Sequence, residues 1–323
     1  MKIEDSKLKI EDCRLKIVSI RQAFSETLFD LAVKNPSIYV VDIGLRPSIY
    51  LDKFAARFKS RFIECGVAES NAAAVAAGLA ASGKTVFLTS FACFSPALNW
   101  AVIKQSICYN HQNVKIVGSH AGLMSGDLGA THQMLEDIAL MRCLPGMEVF
   151  APLDAIEMKK MLPVLASSPR PAYLRLVRPS TVEVYSPKLS FTIGKSQLIK
   201  SGSDITVLGY GPILTQLFVD DFKKYSLDII NCSSIKPFDS DTILKSVKKT
   251  GRCLVIEDHQ KNGGLGEAIS DLILSSGIKC KFRHLAVDNS FGQSAKSYFD
   301  LYHHYGLSPL AIIESLKKLL SKS

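Results

Sequence analysis

No apolar run in the sequence approaches the ~18–20 residues that a membrane-spanning helix requires; the longest, such as Ala72–Ala81, fall well short. The N-terminus is charged from Lys2 onward and lacks the apolar core of a signal segment. These absences predict a soluble, cytoplasmic protein with no membrane contact. C-x-x-C pairs are missing as well. Eight cysteines (Cys13, Cys65, Cys93, Cys108, Cys143, Cys232, Cys253, Cys280) are spread along the chain, several in apolar runs. That usage argues for a reducing compartment and against a disulfide framework or a structural zinc. Hydrophobic residues make up 47% and charged residues 21%, with 20 Gly and 13 Pro among 323 residues, which excludes disordered, collagen-like and low-complexity classes. The net charge of +9 comes from scattered Lys and Arg, not from a tract interleaved with aromatics as nucleic-acid binders have. A mildly basic enzyme for anionic, for instance phosphorylated, substrates fits that charge equally well. At roughly 150 residues per domain, two domains are expected.

What is present begins with a repeat of period seven: Lys2-Ile-Glu-Asp-Ser-Lys-Leu8, then Lys9-Ile-Glu-Asp-Cys-Arg-Leu15. Its apolar residues are spaced five and two, not three and four as in a coiled-coil seam, and two copies cannot build a solenoid. Residues 1–19 are therefore expected to form an extension outside the fold, with a short interaction arm as the alternative. From about Ser19, strand-length apolar bursts (Ile38–Val41, Thr85–Phe91, Val114–Val117, Tyr173–Val177) alternate with helix-forming stretches (Phe24–Val33, Ala68–Ala81, Leu98–Tyr109, Ala155–Leu165). Such alternation predicts an α/β fold with a parallel sheet. A Pro- and Ser-containing stretch from Arg178 to Lys188 breaks the pattern, which restarts at Ile205–Leu208, Leu227–Ile230, Cys253–Ile256 and Lys281–Val287. The expected domain boundary lies near 185–192.

Three segments could carry chemistry. Ile63-Glu-Cys-Gly-Val-Ala-Glu-Ser-Asn71 places Glu64 and Glu69 at the entrance to an Ala-rich helix, where α/β sheets gather ligands. A carboxylate there can share a proton with a ligand nitrogen, or Glu69 can simply complement the helix dipole. His120 and His132 bracket a Gly-rich loop containing Asp127. Imidazoles suit polyol or carbonyl oxygens, since they donate and accept near neutral pH; their spacing matches no common zinc pattern. Finally, Glu257-Asp-His259 precedes Gly263-Gly-Leu-Gly266. This turn lacks the full dinucleotide or P-loop spacing, and close helix–strand packing explains its glycines as well.

Together these segments resemble the C-terminal half of transketolase over some 300 residues from about Ser19. The most specific runs are Glu64-Cys-Gly-Val-Ala-Glu69, Ala76-Ala-Gly-Leu-Ala-Ala-Ser-Gly83, Thr131-His-Gln-Met-Leu-Glu-Asp137, Leu144-Pro-Gly-Met147, Ser234-Ile-Lys-Pro-Phe-Asp239 and the Glu257–Gly266 segment. The resemblance implies a parallel-sheet domain that binds the pyrimidine of thiamine diphosphate (20–187), then a mixed-sheet C-terminal domain (188–323) without direct chemistry of its own. It also implies that Glu69 faces N1′ of the aminopyrimidine, favouring the imino tautomer whose 4′-nitrogen takes the C2 proton. Phe91 and Phe94 match aromatic positions lining that ring, with Leu88 where a third aromatic can occur. His120 and His132 match the histidines near the reacting carbon. Arg178, together with Arg21 and Ser48, matches positions holding the sugar phosphate.

In the family the diphosphate and Mg²⁺ are bound through Gly-Asp-Gly and a later Asn, and no Gly-Asp-Gly occurs here. The resemblance thus implies a partner subunit carrying that site and Mg²⁺, with the active site at the interface of an α2β2 assembly. Three departures bear on the substrate. Asp127-Leu128-Gly129 stands where Glu-Asp-Gly is common, Asp42-Ile-Gly44 replaces Asp-x-Asp, and Leu98–Lys104 loses most of a polar helix pattern. Alternatives are the beta subunit of a 2-oxo-acid dehydrogenase decarboxylase, a 1-deoxyxylulose-5-phosphate synthase-like enzyme, or a non-catalytic assembly subunit.

Overall fold

The computed structural model describes residues 16–321; the heptapeptide copies lie outside the described residues. The apolar bursts of the first half pair into a seven-stranded sheet. Its spatial order is Ser234–Lys236, Glu148–Phe150, Ala172–Arg175, Val114–Ser119, Thr85–Phe91, Ile38–Asp42 and Phe62–Glu64. All neighbours are parallel except the first pair. Strands such as Thr85–Phe91 and Val114–Ser119 are buried along almost their whole length, as expected for a parallel sheet with helices on both faces.

The helices explain the spacing of their small and large residues. Ile20–Lys34 starts where the Ser19 hydroxyl accepts from Gln22 N at 3.2 Å, an N-cap that satisfies one orphan amide. It buries Phe24, whose ring lies 6.2 Å from that of Phe87. Glu69–Ala81 buries Ala72, Ala73, Ala76, Ala77 and Ala80, and this face of methyl groups lets the helix lie close over Val41 and Leu88. The expected helix over 98–109 is wound differently: a short α turn at Trp100–Val102 continues as a π-helix over Ile103–Cys108.

The second half forms a mixed five-stranded sheet. Lys281–Val287, Arg252–Gln260, Ile205–Gly209 and Leu227–Asn231 are parallel, and Gln197–Lys200 is antiparallel at the edge. Helices Ser240–Thr250, Leu265–Ser276 and Pro309–Leu320 cover it. Two short pairings cross the expected boundaries. Ile17–Ser19, assigned by sequence to the extension, pairs antiparallel with Ser180–Val182 inside the stretch read as a break. Ser234–Lys236 leaves the second domain and joins the first domain's sheet, where Lys236 Nζ donates to Arg142 O (2.7 Å) and Leu144 O (2.5 Å).

The seam between the domains is polar and dry. Arg175 Nε donates to Asp137 Oδ2 at 2.9 Å, Tyr173 Oη donates to the same oxygen at 2.8 Å, and Arg175 Nη2 donates to Asp258 O at 2.7 Å. Arg175 and Asp137 are 4% and 0% exposed, so neither charge has water to fall back on. The seven described cysteines are free, and among the described residues no helix is long and apolar enough to cross a membrane. Because Asp137→Ala strands the Arg175 cation in this seam, it is expected to cost about 3 kcal/mol or more of stability, read from the midpoint of chemical denaturation at constant slope.

Candidate active site

The strand ends Phe91 and Ser119 bring the site together. Glu69 opens the Glu69–Ala81 helix, half-buried, and its carboxylate accepts no hydrogen bond from the described residues. Its main chain is held by Asn99, whose Nδ2 donates to Glu69 O and to Ser95 Oγ, both at 3.1 Å. Asn99 therefore ties the helix start to the turn after Phe94, a role no sequence pattern suggested. Cys93, between the two phenylalanines, has its thiol pushed up to about 11, chiefly by burial, with the Glu69 carboxylate adding to the effect.

Phe91 and Phe94 stack with centroids 6.1 Å apart and planes 13° from parallel. Each carries one of the two histidines: His120 lies 3.9 Å from the Phe91 ring, and His132 meets Phe94 edge-on at 5.4 Å. His120 sits at φ +58°, a left-handed conformation costly for a side chain with a Cβ and one that concentrates at functional sites. Its Nδ1 is 3.0 Å from Ser119 Oγ, while His132 Nδ1 is 2.9 Å from Thr131 Oγ1. Burial, reinforced by the Arg21 and Arg178 cations and by His132, pushes the His120 imidazole down to about 3. At neutral pH it is an uncharged ring with one donor and one acceptor.

Arg178, Arg21 and Ser48 also converge. Arg178 Nη1 binds the Asp127 carboxylate and donates to Ser125 O at 3.1 Å. Arg21 Nη2 donates to Arg178 O at 2.6 Å, and its Nη1 to Ser48 O. Arg21 thus spends both terminal nitrogens on carbonyls and braces Arg178, and Ser48 contributes its main chain. Leu88 does not join them. It lies mid-strand, fully buried over the alanine helix, and presents no surface to a ligand ring. Glu64 is exposed and accepts from Gly66 N at 2.9 Å, so Glu69 alone heads the helix. Asp42, whose carboxyl burial raises, is occupied by Thr89 Oγ1 (2.6 Å) and Leu45 N (2.8 Å).

The third segment closes on itself. Glu257 accepts from Leu265 N and Gly266 N (2.9 Å each), from Tyr210 Oη (3.0 Å), and pairs with His284 Nε2 (2.7 Å). Burial alone would raise this carboxyl, but the His284 bond and neighbouring His259 pull it down to about 2. The glycine-rich turn therefore cradles the chain's own carboxylate and not a nucleotide. His259 accepts from Ala139 N at 3.3 Å, which places it at the domain seam.

One element of the second domain does reach the site. Gln133 Nε2 donates to Gly126 O (2.8 Å) and to Gln293 O (2.9 Å), clamping the histidine loop against a segment 160 residues later. A Cβ on Gly292 would lie 2.0 Å from Gln133 Oε1, and one on Gly129 2.6 Å from Ser294 Oγ.

Comparison with known proteins decides what this arrangement belongs to. The transketolase pyrimidine binding domain model matches residues 16–182, and the transketolase C-terminal domain model matches residues 194–312. The chain belongs to the transketolase family. A protein of Methanocaldococcus jannaschii, provisionally named as a transketolase C-terminal section, is 36% identical over 94% of this chain and 96% of its own length. A subunit of the apulose-4-phosphate transketolase of Phocaeicola vulgatus is 32% identical over 95% of this chain and 99% of its own length. A solved structure described as a split gene transketolase, inactive beta4 tetramer, superposes with TM-score 0.84 at 34% identity, over 94% of this chain and 98% of that one. This transketolase chain is thus of the kind found as a C-terminal or beta subunit of split enzymes.

Two outcomes follow from the geometry. The His120 ring should stay neutral from pH 8 down to pH 5, with no imidazole titration in its NMR chemical shifts over that range. Since the unfolded ring titrates near 6.5, the folded state loses stability as pH falls through the window between 6.5 and 3. Gly292→Ala should displace Gln133 and cost about 1–3 kcal/mol, visible as a lowered melting temperature together with faster proteolysis of the 126–133 loop.

Proposed function

We propose that this chain is the C-terminal subunit of a thiamine-diphosphate-dependent transketolase, moving a two-carbon ketol unit between sugar phosphates at an interface with a separate N-terminal subunit. The observation that carries this reading is one connected cluster: Glu69 joined through Asn99 and Ser95 to the Phe91–Phe94 stack, which bears both histidines, with the Arg178 cation close enough to act on His120.

The residues fit the pyrimidine end of the cofactor. A half-buried carboxylate at a helix start stands ready for a ring nitrogen, and a stacked aromatic pair offers an apolar wall. When bound, thiamine diphosphate supplies a nucleophilic carbon and an electron sink for C–C cleavage. Glu69 holds a proton at the ring nitrogen. Neutral His120, with His132, orients the substrate oxygens near the reacting carbon, and Arg178 receives the sugar phosphate with its planar fork. The described residues contain no group of three His, Cys, Asp or Glu placed to hold a metal, and the diphosphate and Mg²⁺ are assigned to the partner.

Several observations support a partner here. Val67 and Leu98, beside Glu69 and Asn99, are apolar yet 89% and 65% exposed. The Phocaeicola vulgatus relative, of nearly the same extent, is named as a subunit, and the solved relative is a beta4 tetramer described as inactive. We assign an α2β2 assembly, with the pyrimidine domain over residues 20–187, the C-terminal domain over residues 188–323, and a cytoplasmic location.

The test is co-expression with a neighbouring reading frame that encodes a Gly-Asp-Gly thiamine domain, assayed for glycolaldehyde transfer from xylulose 5-phosphate with thiamine diphosphate and Mg²⁺. Turnover should require both chains. It should fall by about 100-fold or more in Glu69→Ala with the circular dichroism spectrum unchanged. Full turnover by this chain alone, or by the Glu69→Ala complex, would overturn the proposal.

A further inference from the structure

The guanidinium assigned to the phosphate already has an anion on it. Arg178 Nη1 holds the Asp127 carboxylate, and the two side chains are 37% and 63% exposed, so the pair faces solvent and can open. Asp127 lies in the Leu123–Leu128 turn, between Gly126 at φ +56° and Gly129 at φ +75°. Among the described residues its carboxylate has no other hydrogen-bond donor. Among the described residues Arg178 is the cation paired with it: both terminal nitrogens of Arg21 go to the carbonyls of Ser48 and Arg178, and burial keeps His120 neutral. Asp127 is thus a built-in counter-ion at the anion end of the site.

We infer that Asp127 is a specificity-determining residue that sets how strongly the enzyme prefers substrates with an anionic tail over those with a neutral one. This inference rests on the reading of Arg178 as the receiver of the sugar phosphate. An exposed ion pair is worth little against solvent, so a dianionic phosphate, which makes stronger charge-assisted bonds to the same fork, displaces Asp127 readily. The displaced carboxylate then stays close to two negative charges and weakens their binding. A neutral tail leaves the Arg178–Asp127 pair intact and no charge unpaired. Asp127 therefore narrows the gap between phosphorylated and unphosphorylated ketoses.

The experiment uses the assembled two-chain enzyme. It compares kcat/KM for xylulose 5-phosphate and for xylulose, together with the inhibition constant of inorganic phosphate, in the wild type, Asp127→Asn, Arg178→Gln and the double variant. Asp127→Asn should widen the phosphorylated-to-neutral ratio by about fivefold, with the change in KM and not in kcat, and should tighten inorganic phosphate by a similar factor. In the Arg178→Gln background the ion-pair competition is gone, so the second change should give a smaller gain that reflects only the relief of direct repulsion. If Arg178→Gln collapses the ratio while Asp127→Asn leaves it unchanged or lowers it, Asp127 is no specificity determinant and the phosphate role of Arg178 stands. If Arg178→Gln leaves the ratio and phosphate inhibition unchanged, the phosphate reading fails and takes this inference with it.

Discussion

Arg175 can be buried only because Asp137 meets it at 2.9 Å and the main chain of Asp258 takes its other end at 2.7 Å. That arrangement fixes more than the seam. Asp258 Oδ1 accepts from Leu123 N at 2.8 Å, and a Cβ on Gly122 would lie 2.5 Å from Asp258 and 2.7 Å from Arg175. The start of the histidine loop is therefore seated on a carboxylate of the other domain. Its far end is held the same way, since Gln133 reaches Gln293. The loop that carries Asp127 and His132 is thus held against the second domain at Leu123, Gly129 and Gln133. The seam also fixes a charge pattern, because two carboxylates and one guanidinium sealed from water tolerate no rearrangement that separates them.

The site itself combines two environments. At the helix start and the phenylalanine stack it is apolar, and it forces His120 into an uncharged state. A few residues away it is ionic and open to solvent, with Arg178 and Asp127 neutralising each other. The apolar wall and the ion pair therefore meet different parts of any molecule that spans the two regions.

The alternation of apolar bursts and helical stretches made the α/β architecture legible, because strands buried on both faces must be apolar throughout. Glu69, Phe91, Phe94, His120, His132 and Arg178 were singled out by their motif context, and the structure places them in one region without testing what they bind. Leu88 was misplaced because a position along a strand does not reveal depth; three residues before Phe91, it sits beneath the helix and not at the sheet's rim. The short strands at 17–19 and 180–182 escaped notice because three residues carry no periodicity. Asn99 and the Gln133–Gln293 contact were invisible for a different reason. A side-chain amide bonding a distant carbonyl leaves no local pattern, and the carbonyl belongs to no particular residue type.

The crossing of Ser234–Lys236 into the first sheet changes what counts as a separable piece. By sequence the chain divides near residue 187, but a polypeptide ending there would leave Glu148–Phe150 as a bare parallel edge, with its amides and carbonyls open to any passing strand. The second piece would carry a three-residue tongue with nothing to lie against. Evolution or an engineer can exchange the second domain only together with the edge it covers, so recombination between relatives must respect a junction invisible in the linear order of domains.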